Sequence, residues 1–165
     1  ARRPSRTSAR DGQIAVSVNA LIATFFGIGR IPKAPGTAAS FVAAILAWPI
    51  ASLYGHWILL PFGIGVGIVG ILSSGSYAKE CGRADPSDCV IDEVAGQWIA
   101  CAFAPPTYLS FILAFVLFRF FDIRKPWPIS AAEKLGGGLG IVADDICAGI
   151  AAGFIVWLFS NAGYV

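Results

Sequence analysis

The sequence predicts an all-α protein: a polytopic membrane helix bundle of about five spans, with an N-terminal helix that is interfacial or only partly inserted. Three observations carry this. First, the chain has 165 residues, 56% hydrophobic and 13% charged, with a mean hydropathy of +0.72, whereas soluble domains carry about a quarter charged residues. Second, the run from Ala34 to Ala78 contains no Asp, Glu, Lys or Arg, well beyond the roughly 20 apolar residues that one span needs. Third, Val94 to Phe118 is equally free of charge and is broken by Pro105 and Pro106, which remove backbone donors and favour a turn.

The elements follow in order. Residues 1–12 read as a mobile basic arm drawn to anionic lipid, and residues 13–165 as a single integral-membrane domain, since no linker or internal repeat divides them. Residues 13–28 are mostly apolar but include Gln13, Ser17, Asn19 and Thr24, which suits a segment lying along the interface or entering partway. Spans are predicted at about 38–54 and 57–75, joined by a tight turn at Tyr54 to Trp57. Two shorter helices are predicted at about 90–104 and 107–121. The last span, about 141–160, begins at Asp144 and Asp145. No cleavable signal is recognised, and the absence of methionine suggests that Ala1 is not the translational start.

Basic residues mark the cytoplasmic side of membrane proteins. If residues 13–28 do not cross, five crossings place the 55–57 turn, the 104–107 turn and the C-terminus outside, and none of these contains Lys or Arg. All 12 basic and 10 acidic residues then gather at the cytoplasmic face or just within its helix ends. Carboxylates from several helices could there meet the polar groups of a lipid while the same helices contact its tails.

Four clusters line that face. In GIGRIPKAPGTAAS, residues 27–40, a helix beginning near Thr37 offers free N–H groups to an anion, although a simple cap and turn explains the same residues. In DPSDCVIDEVAGQW, residues 85–98, Asp92 and Glu93 enter a short helix. Its dipole favours them there, but lipid surroundings make them costly unless they bind something. In FRFFDIRKPWP, residues 118–128, Arg119, Asp122 and Lys125 share a broad helical face; a positive-inside anchor accounts for the cations and for Trp127, but not for Asp122. In EKLGGGLGIVADDICAG, residues 133–149, a flexible glycine loop precedes Asp144 and Asp145. Helical neighbours point about 100° apart, so these two serve adjacent spots rather than one.

Together the clusters bring five acidic side chains from several helix ends to one interface with cations among them. Hard divalent cations choose such oxygen ligands, and Mg²⁺ often joins one or two carboxylates to a substrate phosphate. A metal–phosphate site, a proton or ion pathway, and structural ion pairs all remain compatible with these residues. An ion pathway would also place carboxylates near mid-membrane, where none is predicted.

The ordered motifs PGT at 35–37, VIDEVAG at 90–96, FRFFDIRKPWP and GGGLGIVADDICAG resemble those of the phosphatidylglycerophosphatase A family, over about residues 25–153. The resemblance implies a bacterial inner-membrane, Mg²⁺-dependent lipid phosphatase. Such an enzyme converts phosphatidylglycerophosphate to phosphatidylglycerol and phosphate at the cytoplasmic face, in phospholipid biosynthesis. It implies catalytic and metal-binding roles for Asp92, Glu93, Asp122, Asp144 and Asp145. Arg119, Lys125, Lys33 and Thr37 are the candidate phosphate contacts, with Lys33 a weaker correspondence. Ala39 departs from the family's usual PGTxGS glycine without removing a chemical group. Metal and cations would offset the charge of a phosphate monoester while a carboxylate positions or deprotonates water; the residues also leave attack by an aspartate open. A non-enzymatic membrane carrier or ion-conducting protein using the same carboxylates is the alternative.

Other signatures are missing or out of place. The only histidine, His56, falls in the predicted outer turn, no cysteine begins a phosphatase loop, and there is no DxD nucleophile motif. GVGIVG, residues 65–70, matches GxGxxG but lies inside a span without a preceding strand, and nothing points to nucleic acid. Gly63 with Gly67, and Gly149 with Gly153, suit close helix approach or dimer contacts, so the oligomeric state stays open. The four cysteines form no CxxC pair and read as small core residues.

Overall fold

A computed structural model describes residues 17–165; the arm at 1–12 and residues 13–16 lie outside the described residues. Seven α-helices follow in order among the described residues: α1 Val18–Ala23, α2 Pro35–Tyr54, α3 Leu59–Cys81, α4 Ile91–Ala102, α5 Tyr108–Arg124, α6 Ile129–Ala132 and α7 Gly137–Asn161. Single 3₁₀ turns sit at Ile28–Arg30, His56–Ile58 and Glu133–Leu135. By length and composition Pro35–Tyr54, His56–Cys81 and Gly137–Asn161 are able to cross a membrane. At 17 residues α5 rises about 25 Å. At 12 residues α4 rises only about 18 Å, short of the roughly 30 Å hydrocarbon core.

Small residues face inward and large ones outward. Along α2 the buried positions are Gly36, Ala39, Ser40, Ala43, Ala47 and Ala51, while Phe41, Ile45, Leu46 and Leu53 are exposed. Lipid tails are as apolar as a side chain, so burial of large residues gains little and close backbone approach decides the packing. The helix enclosed by this arrangement is α4. It packs against α2, α3, α5 and α7, and nearly all of its side chains are buried, from Ile91 to Ala102.

Several boundaries differ from the sequence reading. α2 begins at Pro35 rather than near Thr37, because proline lacks an N–H that a first helical residue would leave free anyway. α3 runs on to Cys81 instead of ending near 75 and stops at Gly82, whose left-handed φ of 65° suits glycine. Its extension is tied to α1: Ser17 Oγ donates to Glu80 Oε2 at 2.6 Å, and Asn19 Nδ2 donates to Glu80 Oε1 at 3.0 Å. With six residues, α1 rises about 9 Å and does not span. α7 starts at Gly137, not at the aspartate pair. The glycines expected as a flexible loop form its first turn, since a Cβ on Gly138 would crowd the backbone of Ile71 and Gly75. Asp144 and Asp145 consequently lie two turns inside the helix.

Candidate active site

The chain between α3 and α4 folds back into the bundle and sets the start of α4. Pro86 and Val90 are fully buried there. The Cys89 thiol donates to Ser74 Oγ at 3.1 Å, Tyr77 hydroxyl donates to Asp88 Oδ2 at 2.5 Å, and Val90 N–H donates to the Ala23 carbonyl at 2.8 Å. Non-helical backbone at this depth is tolerated where protein surrounds it. Asp92 and Glu93 therefore occupy the first turn of a helix that begins inside the molecule, with unpaired N–H groups and the positive end of the dipole beside them.

Glycines bring α7 to this point. A Cβ on Gly149 would strike the carbonyl of Gly96, and one on Gly96 would stand 2.6 Å from the carbonyl oxygen of Asp145. One further turn along, Gly153 lies against Ala100 and Phe103. The two helices run parallel, so the rungs 96–149 and 100–153 continue upward by one turn of each helix to Asp92 and Asp145. One carboxylate oxygen from each of Asp92, Glu93 and Asp145 lies within 4.8 Å of the other two.

The five acidic residues of the sequence reading all line one cavity of about 380 Å³, with Lys125, but they separate into two kinds. Asp122 and Asp144 have cationic partners. Arg119 Nη1 stands 2.5 Å from Asp122 Oδ2 and 3.8 Å from Glu93 Oε1, and it donates to Ser40 Oγ at 3.4 Å. Lys125 Nζ lies 2.6 Å from Asp144 Oδ2 and 2.9 Å from Glu133 Oε1. Lys125 caps α5 in the left-handed region, at φ 42°, a conformation costly to a residue with a Cβ and common at functional sites. Among the described residues Asp92 and Asp145 have no such partner. Asp92 Oδ1, Glu93 Oε2, Asp144 Oδ1 and Asp145 Oδ2 are buried without a hydrogen bond. Three like-charged carboxylates gathered with orphaned oxygens are costly in isolation, and a divalent cation removes that cost. The donor set is thus one that Mg²⁺ fits.

Charges at the rim are also perturbed. Burial pushes the Asp85 carboxyl above its usual range, with Lys125 pulling partly back. For Lys125, burial favours loss of the proton, but Asp144 and Glu133 outweigh it and hold the ammonium above its ordinary value. Burial pushes the Cys89 thiol up to about 11; it stays neutral at pH 7 and makes a poor nucleophile.

Of the four residues expected near phosphate, Lys125 lines the cavity, while Arg119, Thr37 and Lys33 do not, Arg119 standing behind Glu93 and Asp122. Lys33 is exposed, and Thr37 is half-buried in the first turn of α2. Their neighbour Gly36 is the point of approach: a Cβ there would meet the Glu93 carboxylate and, at 3.2 Å, Arg119 Nη2. Sequence reasoning assigned no role to Glu133, Asp85, Ser40 or Gly96. Glu133 and Asp85 lay within quoted clusters, but no spacing rule ties them to Lys125. Gly96 could have been found from its place four residues after Asp92, matching Gly149 after Asp145. His56 sits at the far end of α2, about 30 Å along that helix from its start, outside any role here.

The family model described as phosphatidylglycerophosphatase A matches residues 21–160. The chain belongs to that family. Its relatives include the phosphatidylglycerophosphatase A of Haemophilus influenzae, 40% identical over 139 residues, covering 83% of this chain and 85% of the relative. The Escherichia coli phosphatidylglycerophosphatase A is 35% identical over 144 residues, covering 86% and 83%. A Bacteroides thetaiotaomicron protein, named provisionally as a phosphatidylinositol-3-phosphatase, is 39% identical over 142 residues, covering 79% and 86%. No solved structure matches the chain.

Proposed function

We propose that the protein is a Mg²⁺-dependent phosphatidylglycerophosphatase, a phosphoric monoester hydrolase of phospholipid biosynthesis, folded as one integral-membrane domain of five crossings in a bacterial inner membrane. The observation that carries the reading is the recessed carboxylate group Asp92, Glu93 and Asp145, with orphaned buried oxygens beside two fixed cations, in a chain of this family. Asp92, Glu93 and Asp145 would hold Mg²⁺, which when bound supplies Lewis-acid stabilisation of charge on the phosphoryl oxygens.

The remaining work falls to the chain. Lys125, at the cavity wall, contacts the terminal phosphate and offsets its dianionic charge. Arg119 holds Glu93 and Asp122 in place and extends positive potential from below. Asp144 is anchored through Oδ2 by Lys125 while Oδ1 is free, so it takes a proton from the attacking water at Oδ1 and returns it to the departing glycerol oxygen as the P–O bond breaks. Binding this deep excludes bulk water and strengthens each of these interactions. The sequence reading gave all five carboxylates to the metal; the narrower assignment leaves Asp122 and Asp144 to orient cations and move the proton.

Release of inorganic phosphate from detergent-solubilised phosphatidylglycerophosphate, with Mg²⁺ and with chelator, tests the reading. Release is expected with Mg²⁺ and not with chelator; no release by folded protein would leave the carrier or ion-conducting alternative. The name of the Bacteroides relative favours a second substrate, so phosphatidylinositol 3-phosphate belongs in the same assay. Faster turnover of that lipid would move the assignment to it.

A further inference from the structure

Two carboxylates hold Lys125, and they hold it differently. Nζ lies 2.6 Å from Asp144 Oδ2 and 2.9 Å from Glu133 Oε1. The Asp144 side chain is 5% exposed, inside α7, whereas that of Glu133 is 51% exposed, on the 3₁₀ turn that precedes α7. The backbone there is fixed, because the Glu133 carbonyl oxygen would stand 2.7 Å from a Cβ on Gly140. Movement is left to the Glu133 side chain, which can rotate toward solvent.

Among the described residues that line the acidic cavity, Lys125 is the only cation. An entering phosphate monoester therefore meets an ammonium already shared between two anions. With three donors the ammonium can keep Asp144 and still bind a phosphate oxygen, but a second carboxylate beside a phosphate dianion repels it. Asp144 cannot leave Lys125 without becoming a buried, unpaired charge. Glu133 can, since water solvates it once it turns outward, and a pair this exposed is weakly held. Resting on the proposed lipid phosphatase reading, we propose that Glu133 is a positioning residue that competes with substrate. It holds the Lys125 ammonium before substrate binds, and the terminal phosphate displaces it. One ion pair replaces another, no covalent bond changes, and Asp144 keeps its anchor throughout.

The test measures phosphate release from phosphatidylglycerophosphate, and its inhibition by added inorganic phosphate, for the unmodified protein, Glu133→Gln, Glu133→Ala and Glu80→Gln. The last removes the same charge at the same end of the bundle, but Glu80 bonds to Ser17 and Asn19 and does not line the cavity. Both Glu133 variants are expected to lower KM and the inhibition constant of inorganic phosphate about two- to fivefold, the scale of a partly exposed ion pair. Their kcat and unfolding temperature are expected to hold, as for a change in uniform binding. Glu80→Gln is expected to change none of these. A raised KM in Glu133→Ala would overturn the proposal, since Glu133 would then only aim Lys125 at the phosphate. So would unchanged constants, which would make the pair a surface contact, or an equal fall in Glu80→Gln, which would assign the effect to net charge. If the unmodified protein releases no phosphate, the phosphatase reading itself fails and the exchange at Lys125 goes with it.

Discussion

At Arg119 and Lys125 the same charge does different work. Arg119 is mostly buried among Glu93, Asp122 and Ser40, and its planar guanidinium reaches all three. Removing it leaves two carboxylates without their cation, and breaking such a buried arrangement costs about 3–5 kcal/mol. Arg119→Gln is therefore expected to lower both thermal stability in detergent and turnover. Lys125 stands at the cavity, partly exposed, between Glu133 and Asp144. Lys125→Gln is expected to keep the fold and raise KM or lower kcat, with Mg²⁺ affinity little changed; unfolding curves and Mg²⁺ titrations of the two variants separate these roles. An equal loss of stability in both would contradict the distinction. The charged residues were legible in the sequence because an ionisable group in an apolar chain needs a reason. Their pairing was not, since Lys125 meets Asp144 only after α6 and a 3₁₀ turn reverse the chain.

Between elements, the contact of α4 with α7 aligns the site. Gly96 and Gly149 sit one turn below Asp92 and Asp145, and the backbones approach too closely for a Cβ at either glycine. Gly149→Ala gains helix propensity of about 1 kcal/mol but overpacks a rigid contact, at a cost of about 1–3 kcal/mol. Because the obstacle is backbone, the clash is expected to win, with a lower unfolding temperature and reduced activity. Gly65→Ala is the control: nothing lies within 4 Å of a Cβ there, and stability is expected to hold or rise. A neutral Gly149→Ala would refute close approach as the device that joins the two aspartates. The sequence showed the Gly149–Gly153 spacing but not the partner helix. It placed helix boundaries by the limits of apolar runs, which misplaced the start of α7, because Gly137 and Gly138 extend that helix through backbone contact with α3.

Across the whole molecule, α2, α4 and α7 start at the acidic end, while α3 and α5 finish there, so the connections at His56 and the end of α7 at Asn161 lie on the opposite face. Under the proposed topology the acidic cavity faces the cytoplasm. In a background without native cysteines, His56→Cys and Asn161→Cys are expected to react with an impermeant thiol reagent added outside the cell, and Lys134→Cys only after lysis. Labelling of Lys134→Cys in intact cells would reverse the orientation. Among the described residues three helices are long and apolar enough to cross a membrane, and the all-helical build was readable from apolar length and two prolines. The depth of the site was not, because it depends on α4 being too short to span and on the chain before it folding inward.

The most direct measurement of the account as a whole is turnover of diacyl phosphatidylglycerophosphate across a Mg²⁺ titration, by the unmodified protein and by purified, folded Asp92→Asn and Asp145→Asn. These changes keep side-chain size and remove the charge assigned to the metal. The account predicts saturable activation by Mg²⁺ in the unmodified protein. It predicts a fall of about 100-fold or more in each variant, as loss of several kcal/mol of charge stabilisation requires. Near-normal turnover with unchanged Mg²⁺ dependence in both variants would contradict it.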